Sequence, residues 1–115
     1  MLFSHLFRTN KEVIPEVLWA FKNKLPQDLQ IEVQASEDGG YVARVMNLPG
    51  CFTEGDTFQQ LNEMLNAAVY DYFQVPEQYI PYLRSYGPAP EIVSWMAAHG
   101  DQLPENSKVL TLQGV

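Results

Sequence analysis

Ser36-Glu37-Asp38-Gly39-Gly40-Tyr41-Val42-Ala43-Arg44-Val45-Met46 decides how this chain folds, because it joins a tight turn directly to a strand. Two adjacent glycines behind two acidic residues supply the positive φ that a hairpin connection demands. Upstream, Leu29, Ile31, Val33 and Ala35 alternate with Gln30, Glu32 and Gln34, the period-two pattern of a strand with one buried face. Downstream, Tyr41–Met46 reads as the returning strand. Leu48-Pro49-Gly50 then makes a second turn, with proline pre-setting one φ and glycine free at the next position. Cys51-Phe52-Thr53-Glu54 is a short third strand that Gly55 ends. Three strands joined by short turns form an antiparallel meander.

The pattern changes from period two to period 3.6 over 56–73. Phe58, Leu61, Leu65, Ala68, Val69 and Tyr72 share one helical face, and Gln59, Gln60, Asn62, Glu63, Asn66 and Asp71 lie mostly on the other. Thr57 with Gln60 three residues later fits a capping box, and Asp56 beside it suits the positive end of a helix. A three-stranded sheet cannot hide its apolar side alone, so this helix is expected to cover it. The fold class expected is α+β, a three-stranded antiparallel meander packed by one amphipathic helix.

Two flanking segments complete the chain. In 1–27, Val13 and Ile14, Val17 and Leu18, Phe21 and Leu25 recur at helical spacing. Pro15 must fall in the first turn, so the helix starts no earlier than about Lys11, and Pro26 closes it. It reads either as a helix packed on the core or as a docking arm for another subunit. In 74–115, Pro76, Pro81, Pro88, Pro90 and Pro104 divide the chain into short pieces. Pro76–Leu83 reads as a helical turn or two, and Glu91–His99 as a helix with Ile92, Trp95 and Met96 inward, ended by Gly100. Lys108–Leu112 reads as a final strand that pairs with an edge of the meander. The organisation is an N-terminal helical extension (1–27), a core (28–73) and a C-terminal extension of the same domain (74–115).

Composition bounds the possibilities. A chain of 115 residues, 46% hydrophobic and 18% charged, is a single globular domain rather than a disordered or fibrous one. One cysteine excludes an intrachain disulfide and a Cys-rich zinc site, and suits a reducing cytoplasm. The opening MLFSHLF lacks a basic leader region and a long apolar stretch, so it does not read as a signal peptide. No apolar run is long enough to span a membrane. The expectation is a soluble cytoplasmic protein. Seven basic against fourteen acidic residues give a net charge of −7, which repels phosphate backbones. That charge either steers a basic protein partner or serves solubility.

The candidates for catalysis are few. An acid–base or two-metal site needs several carboxylates converging from strands and a helix. The first strand offers Glu32, the helix Glu63 and Asp71, and the last strand none. His5 lies near a terminus, and His99 lies at the end of a helix, a position that favours imidazolium. Cys51 has no basic or histidine neighbour to lower its thiol pKa. Gly39-Gly40 precedes a strand and not a helix, so it is no phosphate cradle. No catalytic residue, no metal and no cofactor is expected, and the chain is not read as an enzyme.

The run Glu37-Asp38-Gly39-Gly40-Tyr41-Val42-Ala43, then Leu48-Pro49-Gly50-Cys51, then Thr53-Glu54-Gly55-Asp56-Thr57 before an amphipathic helix resembles the HicB-like antitoxin family over 31–73. The resemblance implies a partial ribonuclease-H-like fold of β-β-β-α-β order without the nuclease carboxylates. It implies a partner as well: a small basic mRNA-interferase toxin (HicA-like) whose RNA cleavage is blocked by direct contact. Many members carry a C-terminal operator-binding segment. Here 74–115 holds Arg84 and Lys108 against Glu77, Glu91, Asp101 and Glu105, with no basic stripe, which argues against DNA binding. The N-terminal helix is extra to the family pattern.

Glu37, Asp38, Glu54 and Asp56 are the expected acidic partner-binding patch, with Tyr41 as an aromatic anchor. Each also suits turn solvation or helix capping. The alternative function is a solitary HicB-like scaffold or self-associating module with no toxin. An open meander edge and an amphipathic end helix both favour a homo-oligomer.

Overall fold

The computed structural model describes residues 12–100 and 109–115, so the readings on MLFSHLF (with His5) and on Lys108 lie outside the described residues. In chain order the elements are helix α1 (Pro15–Lys24), strands β1 (Asp28–Ala35), β2 (Tyr41–Val45) and β3 (Phe52–Gly55), and helix α2 (Phe58–Tyr72). A 3-10 segment (Glu77–Tyr82), strand β4 (Tyr86–Pro88), helix α3 (Pro90–His99) and strand β5 (Val109–Gly114) follow. The result is a mixed α+β protein with a five-stranded antiparallel sheet in the order β3-β2-β1-β5-β4.

The meander forms where the alternation places it. Ile31 pairs with Val45 and Val33 with Ala43, so their side chains share the buried face. Gly39 and Gly40 adopt φ of 89° and 79°, and Gly50 in the second turn adopts 86°. The final strand pairs with the β1 edge of the meander, setting Leu110 opposite Ile31 and Leu112 opposite Leu29. Burial stops one residue early along β1. Ala35, paired with Tyr41 at the hairpin end, is exposed.

Helix α2 covers this face with Phe58, Leu61, Leu65 and Val69, all fully buried. Each such side chain contributes roughly 1.5–3 kcal/mol relative to exposure. At its start Thr57 Oγ1 accepts from Gln60 N–H at 3.0 Å, while Gln60 Oε1 accepts from Asp56 N–H at 2.6 Å. The reciprocal bond of the capping box therefore reaches one residue before the cap.

Three features depart from the sequence reading. Tyr72, expected on the inner face, is exposed; it sits at the border of the apolar stripe and donates its hydroxyl to Pro49 O at 3.0 Å. Tyr70 is buried in its stead, because the chain after α2 folds over that flank and Arg84 O accepts its hydroxyl at 2.8 Å. Trp95, expected inward, lies outside: Ile92 and Met96 pack against the core, whereas the indole stacks on His99 one turn on, 3.8 Å between ring centres.

The sheet also has a fifth strand that the alternation did not announce, β4, with Pro88 on an edge where its missing N–H is tolerated. Helix α1 packs within its own chain. Phe21 lies 5.7 Å from the ring of Tyr79, whose hydroxyl accepts from Ile14 N–H at 3.0 Å.

Candidate partner-binding face

The β2–β3 ladder sets Tyr41 opposite Gly55, which brings the 36–40 turn against the start of α2. Gly40 makes that approach possible, since a Cβ there would stand 2.6 Å from Gly55 O and 3.0 Å from Asp56 Cα. Gly55 does the same for the helix, where a Cβ would meet Leu61 N at 2.6 Å. These absent side chains let two acidic turns and one helix end share a small area of surface.

A shallow depression of about 420 Å³ lies there, lined by Asp38, Tyr41, Glu54, Asp56, Gln60 and Met64 among others. Four of the five residues singled out in the sequence therefore line one depression. Glu37 is not among its lining residues; it stands exposed on the same turn. Gln60, expected only in the cap, holds Asp56 through its backbone, and Met64 follows one turn later on the same exposed side of α2. The spacing that links them is Asp56, Gln60 and Met64 at steps of four along one side of the helix. Glu63 extends the acidic surface into an adjoining hollow with Asp56 and Gln60.

Among the described residues, none of Asp38, Glu54 and Asp56 forms an ion pair. Tyr41 and Met64 line the same depression. Carboxylates accept hydrogen bonds and donate none, so the depression suits a guanidinium or ammonium group on an aliphatic stem.

The residues considered for bond cleavage are placed differently. Glu32 sits on the open face of the sheet, paired with Arg44 at 3.0 Å, whereas Glu63 and Asp71 stand on the exposed side of α2 behind the other face. Among the described residues, no group of three or more His, Cys, Asp or Glu is arranged to hold a metal ion. Cys51 is buried, and burial pushes its thiol pKa up. His99 Nδ1 lies 3.0 Å from Trp95 O at the end of α3. No helix among the described residues is long and apolar enough to cross a membrane.

Comparison with known proteins gives one likeness to weigh beside this geometry. No family model matches the chain, and no solved structure matches it. Over 45 residues, 39% of its length, the chain is 38% identical to a UPF0150 protein of Archaeoglobus fulgidus, of which the match spans 65%.

Proposed function

We propose that this protein is a non-catalytic HicB-like antitoxin that binds a small basic mRNA-interferase toxin and masks its RNA-binding surface. The observation that carries the reading is the depression lined by Asp38, Glu54 and Asp56 beside Tyr41 and Met64, with none of these three acids in an ion pair among the described residues. An RNA-cleaving protein must present Lys and Arg to phosphates, and a carboxylate-lined depression competes for those same groups. The likeness to the UPF0150 protein and the ordered motifs of 37–57 support the family assignment. The succession of β1, β2, β3, α2 and β5 supports its partial ribonuclease-H-like reading.

Binding of this kind is steered by opposite charges, so its association rate falls as salt shortens the Debye length. The test is co-expression with any small basic protein that an adjacent reading frame encodes. Relief of that protein's toxicity, with co-purification of the two, is the expected result. Unrelieved toxicity with no complex, or the absence of any basic neighbour together with a stable homo-oligomer of this chain, would favour the solitary scaffold.

A further inference from the structure

The two edges of the sheet are treated in opposite ways. At the β4 edge, Tyr86 turns its N–H and C=O away from β5, and the side chain of Asn66 takes both, at 2.7 and 2.8 Å. Asn62 adds a second bond to Tyr86 O at 3.1 Å, and Pro88 has no N–H to offer. That edge is closed to any further strand.

The β3 edge carries none of these devices. Cys51 O accepts from Val45 N–H at 2.8 Å, which makes this a hydrogen-bonded pair of the antiparallel ladder. Alternation then makes the pairs of Ala43 with Thr53 and Tyr41 with Gly55 bonded ones, and points the N–H and C=O of Phe52 and Glu54 outward. Among the described residues, none of these four groups has a hydrogen-bond partner. The strand bears no proline, lysine or arginine, and Phe52 leaves 70% of its surface exposed beside the open edge.

We infer that the basic partner docks by adding an extended strand to the free edge of β3, bonding to the backbone of Phe52 and Glu54. This rests on the antitoxin reading and specifies how the partner is held. Charge selects the occupant. A second copy paired at this edge would bring Glu54 and Asp56 of both chains together, in a protein of net charge −7. A strand carrying Lys or Arg meets the same carboxylates favourably, and an apolar residue on it covers Phe52.

Amide hydrogen exchange, followed by NMR with and without the basic product of the adjacent reading frame, tests the inference. The amides of Phe52 and Glu54 are expected to slow at least ~10-fold in the complex, with those of Thr53 and Gly55 already slow in the free protein. A complex that leaves Phe52 and Glu54 unchanged overturns the edge and leaves the antitoxin reading intact. If no complex forms, that reading fails and the inference fails with it. Slowing that appears in the protein alone as its concentration rises makes the occupant a second copy, which also overturns the inference.

A pair of variants separates backbone from charge. Glu54→Pro removes an N–H that faces away from β2, so the ladder survives, and Glu54→Gln removes the charge alone. Glu54→Pro is expected to weaken the complex at least ~10-fold more than Glu54→Gln; equal losses would count against strand addition.

Discussion

Asn66 holds the backbone of Tyr86 as a neighbouring strand would, its Oδ1 accepting from the N–H at 2.7 Å and its Nδ2 donating to the C=O at 2.8 Å. A helix side chain thus completes the edge of the sheet and ties α2 to β4. Asn66→Ala leaves the Tyr86 N–H unpaired, while the C=O keeps its longer bond from Asn62 Nδ2 at 3.1 Å, at a cost of about 1–3 kcal/mol. Asn62 is different, because Tyr86 O keeps its bond to Asn66 and the Oδ1 of Asn62 is buried without a partner among the described residues. Asn62→Leu is expected to change stability by less than about 1 kcal/mol. Urea unfolding of the two variants checks the contrast.

The glycines of the acidic turn are not equivalent. Gly39 and Gly40 both adopt positive φ, but a Cβ at Gly39 enters open space while one at Gly40 meets Gly55 O at 2.6 Å. Gly39→Ala is expected to cost about 1 kcal/mol, and Gly40→Ala about 2–4 kcal/mol. Gly55→Ala should fall with Gly40→Ala, because the atoms it meets belong to the backbone of α2. Thermal unfolding of the three variants ranks them.

Alkaline pH should loosen the fold through Tyr86. Burial first of all, with Tyr70 and Asp28 adding to it and Arg84 opposing, pushes its hydroxyl from 10.0 up to about 12. Between those values the folded protein keeps a proton that the unfolded chain releases. The stabilisation is therefore full below about pH 10 and lost as pH rises through about 12, in all about 3 kcal/mol. Tyr86→Phe should make the fall shallower without abolishing it, since burial also raises Tyr70. Urea midpoints measured from pH 9 to 12 in both proteins give the comparison.

Cys51 is 4% exposed in the core, and burial holds its thiol protonated. A disulfide reagent at pH 8 should label the folded protein roughly a hundredfold more slowly than the urea-unfolded chain, as an opening free energy of about 3 kcal/mol requires. Equal labelling rates would mean that the second turn is not closed over Cys51.

Where local pattern and tertiary packing agree, the chain is readable without a structure. The alternation of Leu29, Ile31 and Val33, the Gly39-Gly40 turn and the Thr57 cap each express a rule confined to a few residues. β4 obeys no such rule. Tyr86-Gly87-Pro88 has no apolar alternation, and it is a strand because β5 and Asn66 supply its bonds from far along the chain. Tyr70 shows the same limit, since the carbonyl of Arg84 that takes its hydroxyl lies beyond the helix in sequence. In the candidate site, Asp38, Tyr41, Glu54 and Asp56 were legible because short turns fix their register. Met64 and Gln60 became visible only once α2 was seen to start beside that turn.

The most direct test of the account is a titration of RNA cleavage by the adjacent frame's basic protein with this purified chain. The wild-type protein should abolish cleavage at about one equivalent, and Asp38→Lys/Glu54→Lys/Asp56→Lys, checked for folding by circular dichroism, should need roughly 100-fold more, about 1 kcal/mol per lost charge pair. Cleavage untouched by the wild-type protein, or inhibition by the charge-reversed one at the same equivalence, would contradict it.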